Sequence, residues 1–462
     1  MKREDRLAKE DVKKLLISFS IPAIIGMLVN ALYNIVDRIF IGQIENGGDY
    51  AITGVGITLP IMTVILAFSM LIGIGAAANI SLKLGQKKKL EAEKILGNAF
   101  VLVILLSLLV TIVGLLSVDK LLVLFGASNN TFGYAKDYIN IILFGAIFSM
   151  VGFAMNHCIR SEGNPKRAAS TMLLGGILNT ILDPLFIFTF DMGVKGAAWA
   201  TIISQAVSML WVLSYFLKGK SHLKLKKINF KLESSLILSI FSIGLSPFLM
   251  QLAASVVSIT ANNALKTYSG DLAIGAMTAI GGVATIFLMP VFGINQGMQP
   301  IVGFNYGAKS YKRVKDTVKY AAFGATAIVT LGFIIVETFP GAIIRLFNDN
   351  TELVAIGSHG IRIVLFMLPA IGFQAISANF FQSIGKAKIS IFLSLLRQVI
   401  LLIPLYLILP RFWGLNGVWL AGPISDALAS IITGFMLFRE FKKLNIAHEE
   451  SLNINSLEVN EA

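Results

Sequence analysis

Stretches of about twenty apolar residues recur along the 462-residue chain, separated by short polar segments that collect most of its lysines and arginines. As a helix, a run of that length crosses a hydrocarbon core of about 30 Å, and in lipid every backbone N–H and C=O of the run has to be bonded within the protein. The pattern predicts spans at roughly 16–41, 51–80, 95–117, 137–159, 168–190 and 194–217. It predicts six more at roughly 236–263, 272–305, 317–337, 358–381, 389–410 and 415–438, with 272–305 long enough to tilt or break. With 55% apolar residues, 14% charged residues and a mean hydropathy of +0.77, no soluble monomer is compatible with the chain.

The formal charge of +13 suggests nucleic acid only if its distribution is ignored. Thirty Lys and Arg residues fall at the two termini and after the even-numbered spans, against six in the opposite loops, and Arg38, Arg362 and Arg397 lie inside spans. By the positive-inside rule both termini and the loop from Lys218 to Lys231 are cytoplasmic, in a cell (inner or plasma) membrane. The basic start, Met1 to Leu15, precedes a run of spanning length with no small-residue cleavage site, which predicts an uncleaved first span. A single cysteine, Cys158, excludes a disulfide framework and a thiolate metal site.

The chain repeats itself. A shift of about 222 residues lays Gly48-Asp49-Tyr50-Ala51-Ile52 on Gly270-Asp271-Leu272-Ala273-Ile274, and Leu84-Gly85-Gln86-Lys87 on Tyr306-Gly307-Ala308-Lys309. Leu124-Phe125 meets Leu346-Phe347, Ser161-Glu162-Gly163 meets Ser383-Ile384-Gly385, and at a shift of 221 Gly193 and Gly196 meet Gly414 and Gly417. Six spans per copy insert both copies in the same direction. The expected fold is therefore an all-α polytopic membrane protein of 12 transmembrane helices, in two six-helix bundles related by a pseudo-two-fold axis along the membrane normal. Its expected parts are an N-terminal bundle at 1–217, a cytoplasmic linker at 218–235, a C-terminal bundle at 236–440 and a polar tail at 441–462.

A carboxylate at the centre of a transmembrane helix costs about 2.5–3.5 kcal/mol on insertion scales, so an acid retained there is a functional candidate. Asn30, Asn34 and Asp37 stack on one face of span 1, and span 5 carries Asn179 and Asp183 one turn apart, followed by Pro184. The proline removes one backbone hydrogen bond and frees the Thr180 carbonyl. At 1.5 Å per residue Asp37 lies roughly 8 Å from the outer end of its span, and Asp183 and Thr201 lie roughly 10 Å from theirs, in one layer. Such a layer offers only oxygen ligands, which suit a hard cation such as Na⁺, and its paired buried carboxylates suit proton exchange. The same groups also suit a hydrogen-bonded packing network. Gln251, Ser255, Ser258 and Asn262 form a second polar row, which with Asn295 and Gln299 can line a substrate cavity or simply join helices. Asp426 and Arg397 have no charged counterparts in the first half and suit a structural ion pair better than a transport role, which stays the alternative.

Pro22 through Gly42 (PAIIGMLVNALYNIVDRIFIG), Asn179-Thr180-Ile181-Leu182-Asp183-Pro184 and Gly196-Ala197-Ala198-Trp199-Ala200-Thr201 resemble the multidrug and toxic compound extrusion (MATE) transporters, and the overall pattern is most similar to the MepA-like branch. The resemblance implies secondary active efflux in exchange for H⁺ or Na⁺, with no other cofactor, and a coupling-ion site formed by Asp37, Asn179, Asp183 and Thr201. Relatives similar to NorM also carry acids in spans 7 and 10, where this chain has Gln251 and Gln374, which puts coupling through the second bundle in doubt. Asn30, Asn34, Gln251, Ser255, Asn295 and Gln299 are the candidates for the substrate cavity.

The expected partners are small lipophilic cationic drugs or dyes and membrane lipid, with neither nucleic acid nor ATP, since no P-loop occurs. A lipid-linked precursor flippase of the same superfamily is the rival transporter, but it calls for buried cations where this chain places acids. A membrane enzyme is less consistent still: His157, His222, His359 and His448 are scattered, and neither HExxH nor GxSxG is found. A channel fits poorly with a two-bundle repeat and its offset acids.

Overall fold

The computed structural model describes residues 3–44, 47–219, 221–347 and 350–460, with no side-chain description for Arg3, Glu4, Asp271 or 450–460. Residues 461–462 of the expected tail and Lys220 of the expected linker lie outside the described residues. The chain is almost entirely helical. Among the described residues ten helices are long and apolar enough to cross a membrane: Val12–Gly42 (span 1), Leu59–Gly85 (2), Lys89–Leu124 (3), Pro165–Thr189 (5), Gly193–Leu217 (6), Ser234–Gly270 (7), Leu272–Gly307 (8), Tyr311–Thr338 (9), Ala387–Ile408 (11) and Pro410–Glu449 (12). Spans 4 and 10 are bent pairs, Phe132–Phe144 with Ala146–Ser161 at 52° and Thr351–Val364 with Leu368–Ser383 at 47°, which brings the count to twelve. Span 8 runs unbroken, and the break falls instead in the expected span 2, where Thr58 separates Gly48–Ile57 from Leu59–Gly85.

The repeat reappears in the backbone. Lys87 and Lys309 share a left-handed conformation (φ 61° and 58°), as do Gly163 and Gly385 (91° and 78°) and Gly193 and Gly414 (54° each). Each pair sits at the shift read from the sequence, and left-handed backbone is costly for any residue with a Cβ, so these turns are specified twice.

Two compact units divide the chain at boundaries other than the sequence halves: Ile25–Leu252 forms one, and Met1–Ile24 with Ala253–Ala462 forms the other. The divisions fall inside spans 1 and 7 rather than in the 218–235 segment, and close helix contacts explain why. In the first unit the start of span 7 packs on span 2, where a Cβ on Gly75 would meet the Ile240 carbonyl oxygen at 2.1 Å and one on Gly244 would meet that of Leu71 at 1.8 Å. Asn79 Nδ2 donates to the Ser239 carbonyl at 3.2 Å, and Ser239 Oγ donates back to Asn79 Oδ1 at 2.8 Å. The second unit repeats the device: the start of span 1 packs on span 8, with Gly293 facing Ile24 and Gly297 facing Ser20. There Asn305 Nδ2 donates to the Leu7 carbonyl at 3.1 Å, and Arg313 Nη2 donates to those of Leu7 and Glu10. Gly75 and Gly297 are equivalent positions of the repeat, so each copy's first half-span is held by the other copy's second span.

The 218–235 segment is bound to the first unit. Asn98 donates to the carbonyls of Asn229 and Lys231 and accepts from the Glu233 N–H. Glu93 accepts from the Lys224 N–H and from Lys226 Nζ at 2.7 Å, while Glu162 accepts from Ser221 Oγ at 2.6 Å and from the Leu223 N–H. Both carboxylates are buried, so these bonds satisfy oxygens that would be costly to bury without them.

Candidate functional site

Asp37, Asn179, Asp183 and Thr201 all lie in the first unit, brought together where a glycine on one helix lets its neighbour approach closely. Span 6 starts at Gly193, and at Gly196 an added Cβ would stand 2.6 Å from the Phe186 carbonyl, so its first turns lie against the backbone of span 5. The contact carries Thr201 to Asn179, whose Nδ2 donates to Thr201 Oγ1 at 3.4 Å and to Asp183 Oδ1 at 3.0 Å. Span 1 meets span 5 at two more glycines, Gly26 against Met172 and Gly176 against Val29 and Tyr33. Asp37 is thereby close enough to Asp183 for the two charges to interact.

Pro184 closes the α-helical part of span 5, and Leu185–Thr189 continues as a π-helical turn. A residue without an N–H next to a wider turn leaves the ladder locally slack, a feature that recurs at functional positions in helices.

All four side chains are buried, Asp183 completely. Their hydrogen bonding is incomplete: Asp37 Oδ1, Asn179 Oδ1 and Asp183 Oδ2 are buried atoms with no partner in the protein. Buried oxygens of this kind are costly unless a cation, a proton or water completes them. Two tyrosines flank the group, neither singled out by the sequence reading. Tyr33 accepts from Asn30 Nδ2 at 3.4 Å, and buried Tyr138 from span 4 is within reach of Thr201. Their signal in the sequence is only a phenol inside an apolar span.

The six cavity candidates are divided between the units, with Asn30, Asn34 and Gln251 in the first and Ser255, Asn295 and Gln299 in the second. Asn34 is exposed and donates to the Asn30 carbonyl at 2.6 Å; Asn30, Gln251 and Ser255 are half-buried. Asn295 and Gln299 are buried one turn apart on span 8, with Asn295 Oδ1 and Gln299 Nε2 unbonded. Arg397 and Asp426 form the expected ion pair, with Ser425 Oγ donating to the Arg397 carbonyl at 2.7 Å. Arg362 and Glu337 are paired as well, the Arg362 Nη2 donating to the Glu337 carbonyl at 3.1 Å. Cys158 is buried and free, and no cluster of metal-ligating His, Cys, Asp or Glu occurs among the described residues.

The MatE family model matches residues 22–185 and 247–408. Over 438 residues the chain is 25% identical to the multidrug export protein MepA of Staphylococcus haemolyticus, covering 95% of this chain and 96% of that one. It is 27% identical over 446 residues to the MepA of Staphylococcus aureus, covering 96% and 97%. A solved structure described as the outward-facing conformation of a multidrug resistance MATE family transporter of the MOP superfamily superposes with a TM-score of 0.89 at 26% identity, covering 95% of this chain and 98% of that one. The two matched segments, one in each copy of the repeat, together span most of the chain, which belongs to the MatE family.

Proposed function

We propose that the chain is a secondary active multidrug exporter, moving lipophilic, cationic compounds out of the cell in exchange for H⁺ or Na⁺ by alternating access, with both termini cytoplasmic. The MepA relatives and the MATE structure support export of drugs, and thirty cytoplasmic-side cations against six support the orientation. One observation carries the coupling reading: Asp37 Oδ1, Asn179 Oδ1 and Asp183 Oδ2 are buried, unbonded and grouped in one bundle with Thr201. Three oxygens with free lone pairs and two carboxylates accept a hard cation or a proton, and little else.

Alternating access requires the ion and the drug to stabilise different states, because a ligand of equal affinity for both shifts nothing. An ion entering from outside removes the repulsion between Asp37 and Asp183 and lets spans 1 and 5 repack, with Pro22, Gly26 and the π turn after Pro184 as points of give. Repacking then expels the drug. The test is ethidium transport in everted vesicles with pH and Na⁺ gradients imposed separately. Transport driven by one of them supports the reading, whereas movement of only anionic or lipid-linked compounds replaces it with the flippase.

A further inference from the structure

At the cytoplasmic end of span 4 a buried positive charge stands without a counter-charge. Arg160 is 3% exposed and His157 5%. Asn156 Oδ1 accepts from Arg160 Nη2 at 3.0 Å, and Asn156 Nδ2 donates to the Ala168 carbonyl at 2.8 Å, so the guanidinium is held beside the first turn of span 5. The other amino nitrogen of Arg160, Nη1, is buried and bonds to nothing, and neither does His157 Nδ1 one turn before it. The electrostatic influence of Arg160 reaches the His157 ring. Among the described residues no carboxylate is paired with Arg160: buried Glu162, two residues further on, is engaged by the 218–235 segment, as is buried Glu93.

The repeat shows that the fold does not need this charge. At the shift that superposes Ser161 and Gly163 on Ser383 and Gly385, Arg160 corresponds to Gln382 and His157 to Asn379. Gln382 is also buried, and the turn that follows has the same left-handed glycine. The second copy thus builds the same bent span with neutral amides. In the first copy the C-terminal dipole of span 4 offsets part of the charge on Arg160 but leaves Nη1 unsatisfied. A trapped water satisfies an N–H and leaves the charge; an anion satisfies both.

We propose that Arg160 and His157 form a binding site for a small inorganic anion, with chloride as the species that fits so enclosed a position. Arg160 Nη1–H donates to it with full charge assistance, His157 donates from its Nδ1–H tautomer, and Asn156 fixes the guanidinium. The ion is a resident one that neutralises the end of span 4, and the inference does not depend on which ion drives transport.

The experiment uses the full chain in detergent, with its unfolding midpoint measured in sodium gluconate, chloride and bromide at equal ionic strength, so that any effect of Na⁺ is constant. Both halides are expected to raise the midpoint by about 2–4 °C over gluconate. Arg160→Gln, which installs the residue of the second copy, is expected to lose that dependence. Should the variant not fold, crystals of the wild-type chain soaked in bromide decide, with an anomalous peak expected between Arg160 Nη1 and His157 Nδ1. Equal midpoints in the three salts, a halide effect retained in Arg160→Gln, or a water without anomalous signal at that position would each overturn the proposal.

Discussion

Replacing Gly244 by alanine tests the helix contact that gives the first unit the start of span 7. A Cβ at Gly244 would lie 1.8 Å from the Leu71 carbonyl oxygen and 2.6 Å from its carbon. Contacts of this kind settle at about 3.5 Å, so spans 2 and 7 must part by roughly 1.5 Å. The separation also loosens Gly75 against Ile240 and the pair of hydrogen bonds between Asn79 and Ser239. Overpacking costs about 1–3 kcal/mol, and two bonds of about 1 kcal/mol each are strained, against a gain of about 0.5–1 kcal/mol for alanine over glycine in a helix. The net is a loss of about 2 kcal/mol, or a fall of about 2–4 °C in the unfolding midpoint in detergent. Gly281→Ala is the control: it makes the same exchange inside span 8 with nothing within 4 Å, and should be neutral or slightly stabilising. The reasoning is refuted if Gly244→Ala unfolds at or above the midpoint of Gly281→Ala.

Breaking one partner of the Arg397–Asp426 pair leaves a largely buried charge alone, so Arg397→Gln should destabilise by about 3–5 kcal/mol and Arg397→Gln with Asp426→Asn by less, as read from denaturation of both. Single and double variants of equal stability would make the pair energetically irrelevant. Asn98→Ala removes the anchor for Asn229, Lys231 and Glu233, and limited trypsinolysis should then cut the 218–235 segment faster at its lysines; an unchanged rate would mean that the two glutamates suffice to hold it. Alkaline phosphatase fused to the carboxy terminus should be inactive and a fluorescent protein bright, and the opposite pattern would contradict the cytoplasmic assignment of the ends.

What was legible in the sequence follows from what lipid demands locally. Apolar length located the spans because each must satisfy its own backbone, and the 222-residue shift anticipated paired turns down to the left-handed Lys87 and Lys309. Asp37, Asn179, Asp183 and Thr201 stood out because polar groups inside a span are rare. The exchange of first half-spans was not legible: it depends on Gly75 and Gly244 meeting carbonyls of helices far away in the chain, and a glycine in a span has the same appearance with or without a partner. The bend of span 4 left only Gly145 as a sign, and the docking of the 218–235 segment resembled an ordinary charged loop until Asn98, Glu93 and Glu162 were seen to hold it.

The central claim is that the acidic layer of the first unit couples ion entry to drug exit. It is tested most directly by ethidium transport in everted vesicles carrying Asp37→Asn together with Asp183→Asn, with the pH and Na⁺ gradients imposed separately and membrane insertion checked by quantified protein. The account predicts an inserted protein whose gradient-driven transport is abolished. Transport that keeps wild-type rate and ion dependence would contradict it and move the coupling site elsewhere, with Asp426 the next residue to examine.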